Sequence, residues 1–277
     1  MPMTDCGTFW VQSGPQDAQP VALVHGLGLN HLCWKWLEPD LSSQFRVIRH
    51  DLHGHGQSRD TADTPDLRAL SDQLARVLDA CGVDRAAVVG FSLGGMIARR
   101  FAQDHPDRTH ALGILHSPHQ RTVEAQAAVA ARVEQAIAQG PAATIDDALH
   151  RWFTDACRTA RPDLMAEIRA WVLANDPAIY HRYYRILADG IDEILRPDPP
   201  IACPALVLTA DQDFGNGPEM SAAIAAEIAG SELVILQGLR HMALAENPAA
   251  VNGPLIDFLR RAFGIAPHAA QGAAGAR

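Results

Sequence analysis

The segment Gly90-Phe91-Ser92-Leu93-Gly94-Gly95 places a serine between two glycines, one two positions before it and one two positions after. It follows the apolar run Ala86-Ala87-Val88-Val89 and precedes a stretch with helical patterning from Met96 to Gln103. That context predicts a sharp strand-to-helix turn with the Ser92 hydroxyl raised above a sheet edge. The residues two before and two after such a serine crowd together, which calls for glycine at 90 and 94. The helix that starts there points free N–H groups and the positive end of its dipole at whatever reacts. The chemistry these features suit is nucleophilic attack on a carbonyl. A glycine-rich turn that only caps a helix is the competing possibility, and the strand immediately before it argues against that.

A serine hydroxyl is a weak nucleophile without a base. Of the 13 histidines, His241 is best placed. It follows the apolar run Leu233–Leu236 by the short loop 237–240, on the same sheet edge as Ser92. An imidazole base needs an orienting carboxylate. Asp211 and Asp213 both follow the run Ala205–Leu208. Asp213, further out in the loop, is the favoured partner, which leaves Asp211 as a turn-forming or solvated acid. A developing oxyanion needs two converging donors. The backbone N–H of Leu93 supplies one. The second is assigned to the N–H of Leu27 in His25-Gly26-Leu27-Gly28, with His25 bracing that loop by hydrogen bonding.

A second cluster competes for attention. His50, Asp51, His53 and His55 fall within six positions of the stretch HDLHGHGQS. A metal centre needs at least three ligands converging on one point with an open position, and the interleaved glycines supply no such rigidity. No metal and no cofactor are expected.

The elements that must position these groups are legible as periodicity. Six short apolar runs, Val21–Val24, Phe45–Ile48, Ala86–Val89, Leu112–Leu115, Ala205–Leu208 and Leu233–Leu236, suit parallel strands covered on both faces. Leu67, Leu70, Leu74, Val77 and Leu78 share one face of a helix that ends near Gly82, and Pro248–Phe263 is a further helix. Strand-helix alternation predicts an α/β fold with a mostly parallel central sheet flanked by helices. The stretch 118–200 breaks this rhythm. It has no convincing strand and reads as helices at Val123–Gln139, Ile145–Thr159, Asp163–Ala174 and Ala178–Ala188, closed by the rigid Arg196-Pro-Asp-Pro-Pro200. The expected organisation is a core of 1–117 and 201–263, an all-helical cap at 118–200, and a loose Ala/Gly-rich tail at 264–277.

Composition bounds the function. The chain has 277 residues, 48% of them hydrophobic and 20% charged, as in a globular enzyme-sized domain. A net charge of −9 argues against nucleic-acid or anionic-membrane partners, which call for a basic face. Cys6, Cys33, Cys81, Cys157 and Cys203 are odd in number, scattered, and form no C-x-x-C, which fits a reducing compartment. The N-terminus has no basic, then apolar, signal pattern. A cytoplasmic location is expected; the oligomeric state is not legible.

Taken together, HGLG at 25–28, DLHGHGQS at 51–58, GFSLGG at 90–95, ADQD at 210–213 and RHMALAENP at 240–248 resemble the α/β-hydrolase superfamily along nearly the whole chain. Within it the chain looks most like the small bacterial group of 3-oxoadipate enol-lactonases and cofactor-free esterases, on the helical cap and on stretches such as Arg151-Trp-Phe-Thr154. One departure is Ala210, where the superfamily usually has glycine. The resemblance implies an α/β-hydrolase fold and a Ser92–Asp213–His241 triad acting on a small ester or lactone. In the resembled family the loop at 51–58 is structural, so Asp51 and His55 are expected to fix it while His53 stands where arginine is common.

Cap residues would select the substrate. A carboxylate-bearing, enol-lactone-like substrate needs a cap cation, for which Arg151, Arg158, Arg182 and Arg185 are candidates. Trp34, Trp152, Trp171 and the tyrosines Tyr180, Tyr183 and Tyr184, Tyr183 foremost, are candidates for an aromatic pocket wall, the alternative being that they only pack the cap. The alternatives on this fold are a C–C bond hydrolase of aromatic degradation, a cofactor-free oxygenase or perhydrolase, and a receptor-like binding protein.

Overall fold

The computed structural model describes residues 2–61 and 64–266. A seven-stranded sheet runs through it: β1 (Trp10–Ser13), β2 (Pro20–Val24), β3 (Arg46–His50), β4 (Ala86–Phe91), β5 (Thr109–Leu115), β6 (Ala205–Ala210) and β7 (Glu232–Leu236). Their spatial order is β1-β3-β2-β4-β5-β6-β7. β1 pairs antiparallel with β3, and every other pair is parallel. β2, β4 and β6 are buried almost end to end, and this is why they read as continuous apolar runs. β1 does not read that way. It is a half-buried edge strand with Gln12 and Ser13 in its four residues, and it escaped the apolar-run reading for that reason.

Helices cover both faces. α1 (Glu38–Ser42) follows the first loop, α2 (Leu67–Ala80) precedes β4, and α3 (Leu93–Asp104) leaves it. In α2 the predicted stripe Leu67, Leu70, Leu74, Val77 and Leu78 is buried, and Asp66 caps its start by accepting from Ala69 N at 2.7 Å. Between β5 and β6 lie only helical elements among the described residues: α4 (Val123–Gln139), α5 (Ile145–Trp152), α6 (Asp155–Ala160), α7 (Pro162–Leu173) and α8 (Tyr180–Asp189). The single helix expected at Ile145–Thr159 is two. The break at Phe153–Thr154 is held from outside: Arg240 Nη1 donates to Phe153 O (2.8 Å), Thr154 N donates to Glu246 Oε2 (3.1 Å), and Thr154 Oγ1 caps α6. α9 (Pro218–Glu227) was not legible because PEMSAAIAAE carries no apolar stripe; Ser221 and Ile224 are its buried residues. α10 (Ala243–Glu246) and α11 (Pro248–Ala262) close the chain. The tail expected at 264–277 lies outside the described residues from 267 onward. Among the described residues no helix is long and apolar enough to cross a membrane, and the five cysteines are free thiols.

Candidate active site

Ser92 is the residue between β4 and α3. Its backbone is at φ 57° and ψ −117°, a strained conformation for any residue but glycine. Ser92 N donates to Leu115 O at 2.8 Å, which ties the turn to β5. The flanking glycines are needed because the turn is so tight. A Cβ on Gly90 would sit 2.0 Å from Gly94 O, and one on Gly94 would sit 2.0 Å from Val24 O.

Asp213 lies in the loop after β6, fully buried, and its carboxylate meets four donors. Oδ1 accepts from the backbone N–H groups of Gly215 (3.1 Å) and Asn216 (3.0 Å). Oδ2 accepts from His241 Nδ1 (2.7 Å) and from His116 Nδ1 (2.9 Å). Burial alone would raise the pKa of this carboxyl. The charge and N–H groups of His241 and His116 outweigh it and hold Asp213 far below the usual carboxylate range. Because an ionised carboxylate only accepts, both imidazoles carry a proton on Nδ1, which in a neutral ring leaves the lone pair on Nε2. Asp211, the alternative acid, instead accepts from Gly238 N at 2.8 Å in an exposed turn.

Ser92, Asp213 and His241 line one cavity, walled otherwise mainly by apolar, aromatic and arginine side chains. Ser92 Oγ makes no hydrogen bond to His241 here, and serine–histidine contacts are commonly loose without substrate. Leu27 also lines the cavity. Neither Leu27 N nor Leu93 N has an acceptor among the described residues, as two oxyanion donors require.

The loop of three histidines is a brace. His25 accepts from Leu52 N through Nε2 (2.9 Å) and donates from Nδ1 to Gly26 O (2.8 Å), joining the two loops beside Ser92. Asp51 accepts from His31 N and Gln57 N, while His53 and His55 donate from Nδ1 to backbone carbonyls. These groups face different partners, with no common point for an ion. The only three-ligand cluster among the described residues is His116, Asp213 and His241, which the hydrogen bonds above already join.

This buried histidine cluster makes the fold acid-sensitive. Burial pushes His25 down to about 3, and His50 and His55 down to about 4. Between the unfolded value near 6.5 and these native values, the unfolded chain binds protons that the native state refuses. Stability therefore falls as pH drops through that window, by about 2 kcal/mol per histidine at pH 5. Urea unfolding at pH 7.5 and pH 5 measures this; equal midpoints would refute it.

Of the proposed pocket residues, Arg151 and Trp152 line the cavity. Three do not, and correct the sequence reading. Trp34 is wholly buried in the core. Trp171 packs against Trp36, ring centroids 5.9 Å apart, with Lys35 over its ring. Tyr183 donates to Asp60 and packs edge-on against His55. Of the three tyrosines, the cavity receives Tyr180 and Tyr184. Residues 180 and 184 share a helix face, whereas Tyr183 is turned about 100° from Tyr184. Among the cations, Arg158 pairs with Asp155 and Arg182 with Asp60, and Arg185 lines a separate groove.

Sequence reasoning missed three residues: His116, Arg121 and Arg132. Arg121 and Arg132 line the same cavity as Arg151. No signal along the chain marks them, since α4 and the loop before it reach the cavity only through the packing of α4 on α8. His116 did carry a signal: it directly follows a predicted strand, on the edge where the site lies.

Residues 21–253 match the profile of the alpha/beta hydrolase family. The chain is 27% identical over 238 residues to (E)-2-((N-methylformamido)methylene)succinate hydrolase of Acinetobacter baylyi, covering 85% of this chain and 88% of that one. It is 28% identical over 202 residues to 3-oxoadipate enol-lactonase 1 of the same organism, covering 73% and 74%. The crystal structure of the enol-lactonase from Burkholderia xenovorans superposes with a TM-score of 0.82 at 26% identity, over 91% of this chain and 96% of that one. With the sheet order, the strained serine turn and a family match across most of its length, the chain belongs to the alpha/beta hydrolase family.

Proposed function

We propose that the protein hydrolyses a small carboxylate-bearing ester or lactone through an acyl-enzyme on Ser92. Ser92 Oγ attacks the carbonyl carbon while His241 Nε2 takes its proton. The imidazolium is held by Asp213, and the oxyanion by the N–H groups of Leu27 and Leu93. Collapse breaks the C–O bond, and the leaving oxygen takes the proton from His241. Water then attacks the acyl carbon with His241 as base, which frees the acid and restores Ser92.

The observation that carries this reading is the charge of the cavity. Arg121, Arg132 and Arg151 line it opposite the nucleophile's sheet edge, and none forms an ion pair with a carboxylate among the described residues. Arg121 spends donors on Gln126 and the carbonyls of Leu187 and Ala188, and Arg132 Nε donates to Tyr184 Oη. Asp189 and Asp147 lie near Arg121 and Arg151 without ion-pairing to them. Burial pulls the pKa of Arg121 down to about 10 and lowers that of Arg151, and the neighbouring Arg132 adds to both shifts. Three unneutralised cations kept together in a half-dry cavity are stabilised by an anionic ligand. Relatives named for a succinate derivative and for 3-oxoadipate support the same class.

A matched panel of esters and lactones, with and without a carboxylate, tests the reading. Carboxylated members are expected to turn over best. Arg151→Met is expected to raise their KM about tenfold, roughly the worth of one charged contact, and to leave neutral esters unchanged. Equal turnover of neutral and anionic esters, indifferent to Arg151→Met, would reject the carboxylate. Inertness toward every member, generic nitrophenyl esters included, would favour a binding protein.

A further inference from the structure

Asp213 has two histidine partners, and the hydrolytic mechanism uses only one of them. His116 stands directly after β5, buried, with its ring 5.6 Å from that of His241 and nearly perpendicular to it. Its backbone is at φ 50°, left-handed for a residue that is not glycine. Its Nε2 is buried and has no partner among the described residues. An apolar residue here would leave no buried nitrogen unpaired, and glycine would carry no backbone strain. What His116 gains in exchange is its Nδ1–H on Asp213 Oδ2, at 2.9 Å the shorter of its two Nδ1 contacts (Thr209 Oγ1 lies at 3.4 Å) and the same oxygen that takes His241. The position is built for that contact. His116 N donates to Leu208 O at 2.7 Å, His116 O accepts from Asn216 Nδ2 at 2.8 Å, and Asn216 N in turn holds Asp213 Oδ1. Strain at a site, retained by surrounding bonds, is a mark of function.

We infer that His116 is a positioning residue that sets both the orientation and the basicity of Asp213, and through it the proton affinity of His241. This rests on the proposed Ser92–His241–Asp213 chemistry. Two backbone N–H groups hold Oδ1, and His116 turns the lone pairs of Oδ2 between two rings. Sharing Oδ2 also divides the carboxylate's negative charge. With His116 donating, Asp213 holds the His241 imidazolium less tightly, so His241 is free base at lower pH and can take the Ser92 proton there. Without the donor, Asp213 becomes a stronger acceptor and His241 is protonated at higher pH. Among the described residues, the other titratable groups on this cavity are Arg121, Arg132, Arg151, Tyr180 and Tyr184. They are common to the parent and to any variant at 116, so a difference between variants reports on residue 116.

The test compares His116→Asn with His116→Leu. The two replacements have the same number and branching of side-chain heavy atoms, but only the asparagine amide can donate toward Oδ2, and asparagine also tolerates positive φ. Expected for His116→Asn are a kcat within about threefold of the parent and an unmoved acid limb of the kcat/KM profile. Expected for His116→Leu are a kcat lower by about tenfold to a hundredfold, the range of a hydrogen bond to a charged group, an acid limb moved to higher pH, and an unchanged KM. Equal loss in both variants with unmoved limbs would reduce His116 to a packing role, and parental behaviour of a folded His116→Leu would overturn the inference.

A second measurement needs neither turnover nor a leucine variant that folds. Nitrogen-15 NMR of histidine-labelled parent protein reads the tautomer of each ring. His116 is expected as the neutral Nδ1–H form across the pH range in which His241 titrates. A bare Nδ1 on His116 would overturn the inference even in an active enzyme. If the parent proves inactive on every ester while His116 keeps its Nδ1–H, the hydrolytic reading fails and the hydrogen bond stands.

Discussion

Ser92→Ala is expected to lower kcat by a factor on the order of 10⁶, the scale seen when a nucleophilic serine is lost from such a constellation, while KM stays within a few-fold. Alanine removes one atom, Oγ. It keeps the backbone at its positive φ, and it disturbs no hydrogen bond to another described residue, so the thermal midpoint should move little. What remains is binding in the cavity and the donors of Leu27 and Leu93, which leave about 10³-fold over uncatalysed hydrolysis. Steady-state kinetics on the preferred ester gives the ratio. A fluorophosphonate probe gives the bond itself: intact protein should gain one phosphonyl group, on the peptide containing Ser92, and the alanine variant should gain none. Full turnover by Ser92→Ala, or a parent that turns over ester yet resists the probe, would remove the acyl-enzyme from the account.

Asp213→Asn is expected to cost about 10⁴-fold in kcat, and to destabilise the protein where Ser92→Ala does not. The reason is the number of donors around the side chain. Oδ1 meets the N–H groups of Gly215 and Asn216, and Oδ2 meets Nδ1 of His241 and of His116. An asparagine amide has one oxygen and one NH₂. In either orientation its NH₂ faces two donors. Turned toward the backbone, it opposes two N–H groups that cannot be rearranged. Turned toward the histidines, it forces both rings to the other tautomer, and His241 then presents N–H rather than a lone pair to Ser92. Buried groups left unpaired in this way cost about 1–3 kcal/mol each. Urea unfolding and kcat measured on the same preparation test both halves. A variant with parental stability and parental kcat would show that the charge of Asp213 is used for neither purpose.

The order of the proposed site along the chain was legible because the signal for each of its residues is local. Ser92 is announced by glycines two residues away on either side, and those glycines are required by contacts of 2.0 Å that any Cβ would make. Asp213 and His241 each follow an apolar run that became a parallel strand, the buried β6 and the half-exposed edge strand β7, so their common edge could be read from strand-helix alternation. The brace at Asp51 and His55 was legible through the resemblance of DLHGHGQS to the family's loop; His53 and Gln57 are local partners, whereas the bonds from His31 to Asp51 span 20 residues. β1 was not legible, because an edge strand with one wet face carries no continuous apolar run. The division of the expected helix at 145–159 was not legible either, because Arg240 and Glu246 enforce it from about 90 residues away.

By itself, then, the sequence determined the fold class and the strand-end positions of the candidate serine, acid and base. These depend on short-range patterning: alternation of apolar runs and glycine at strained turns. Only the tertiary structure decided which cap residues face the cavity and what surrounds Asp213. Rotation about a helix axis separates Tyr184, which lines the cavity, from Tyr183, which bonds to Asp60, though they are neighbours in the chain. The packing of the cap over the sheet gathers Arg121, Arg132 and Arg151 at one cavity. The neighbouring strands β5 and β6 bring His116 to the carboxylate of a residue 97 positions away. Contacts of that kind are set by how whole elements dock, and no local spacing encodes them.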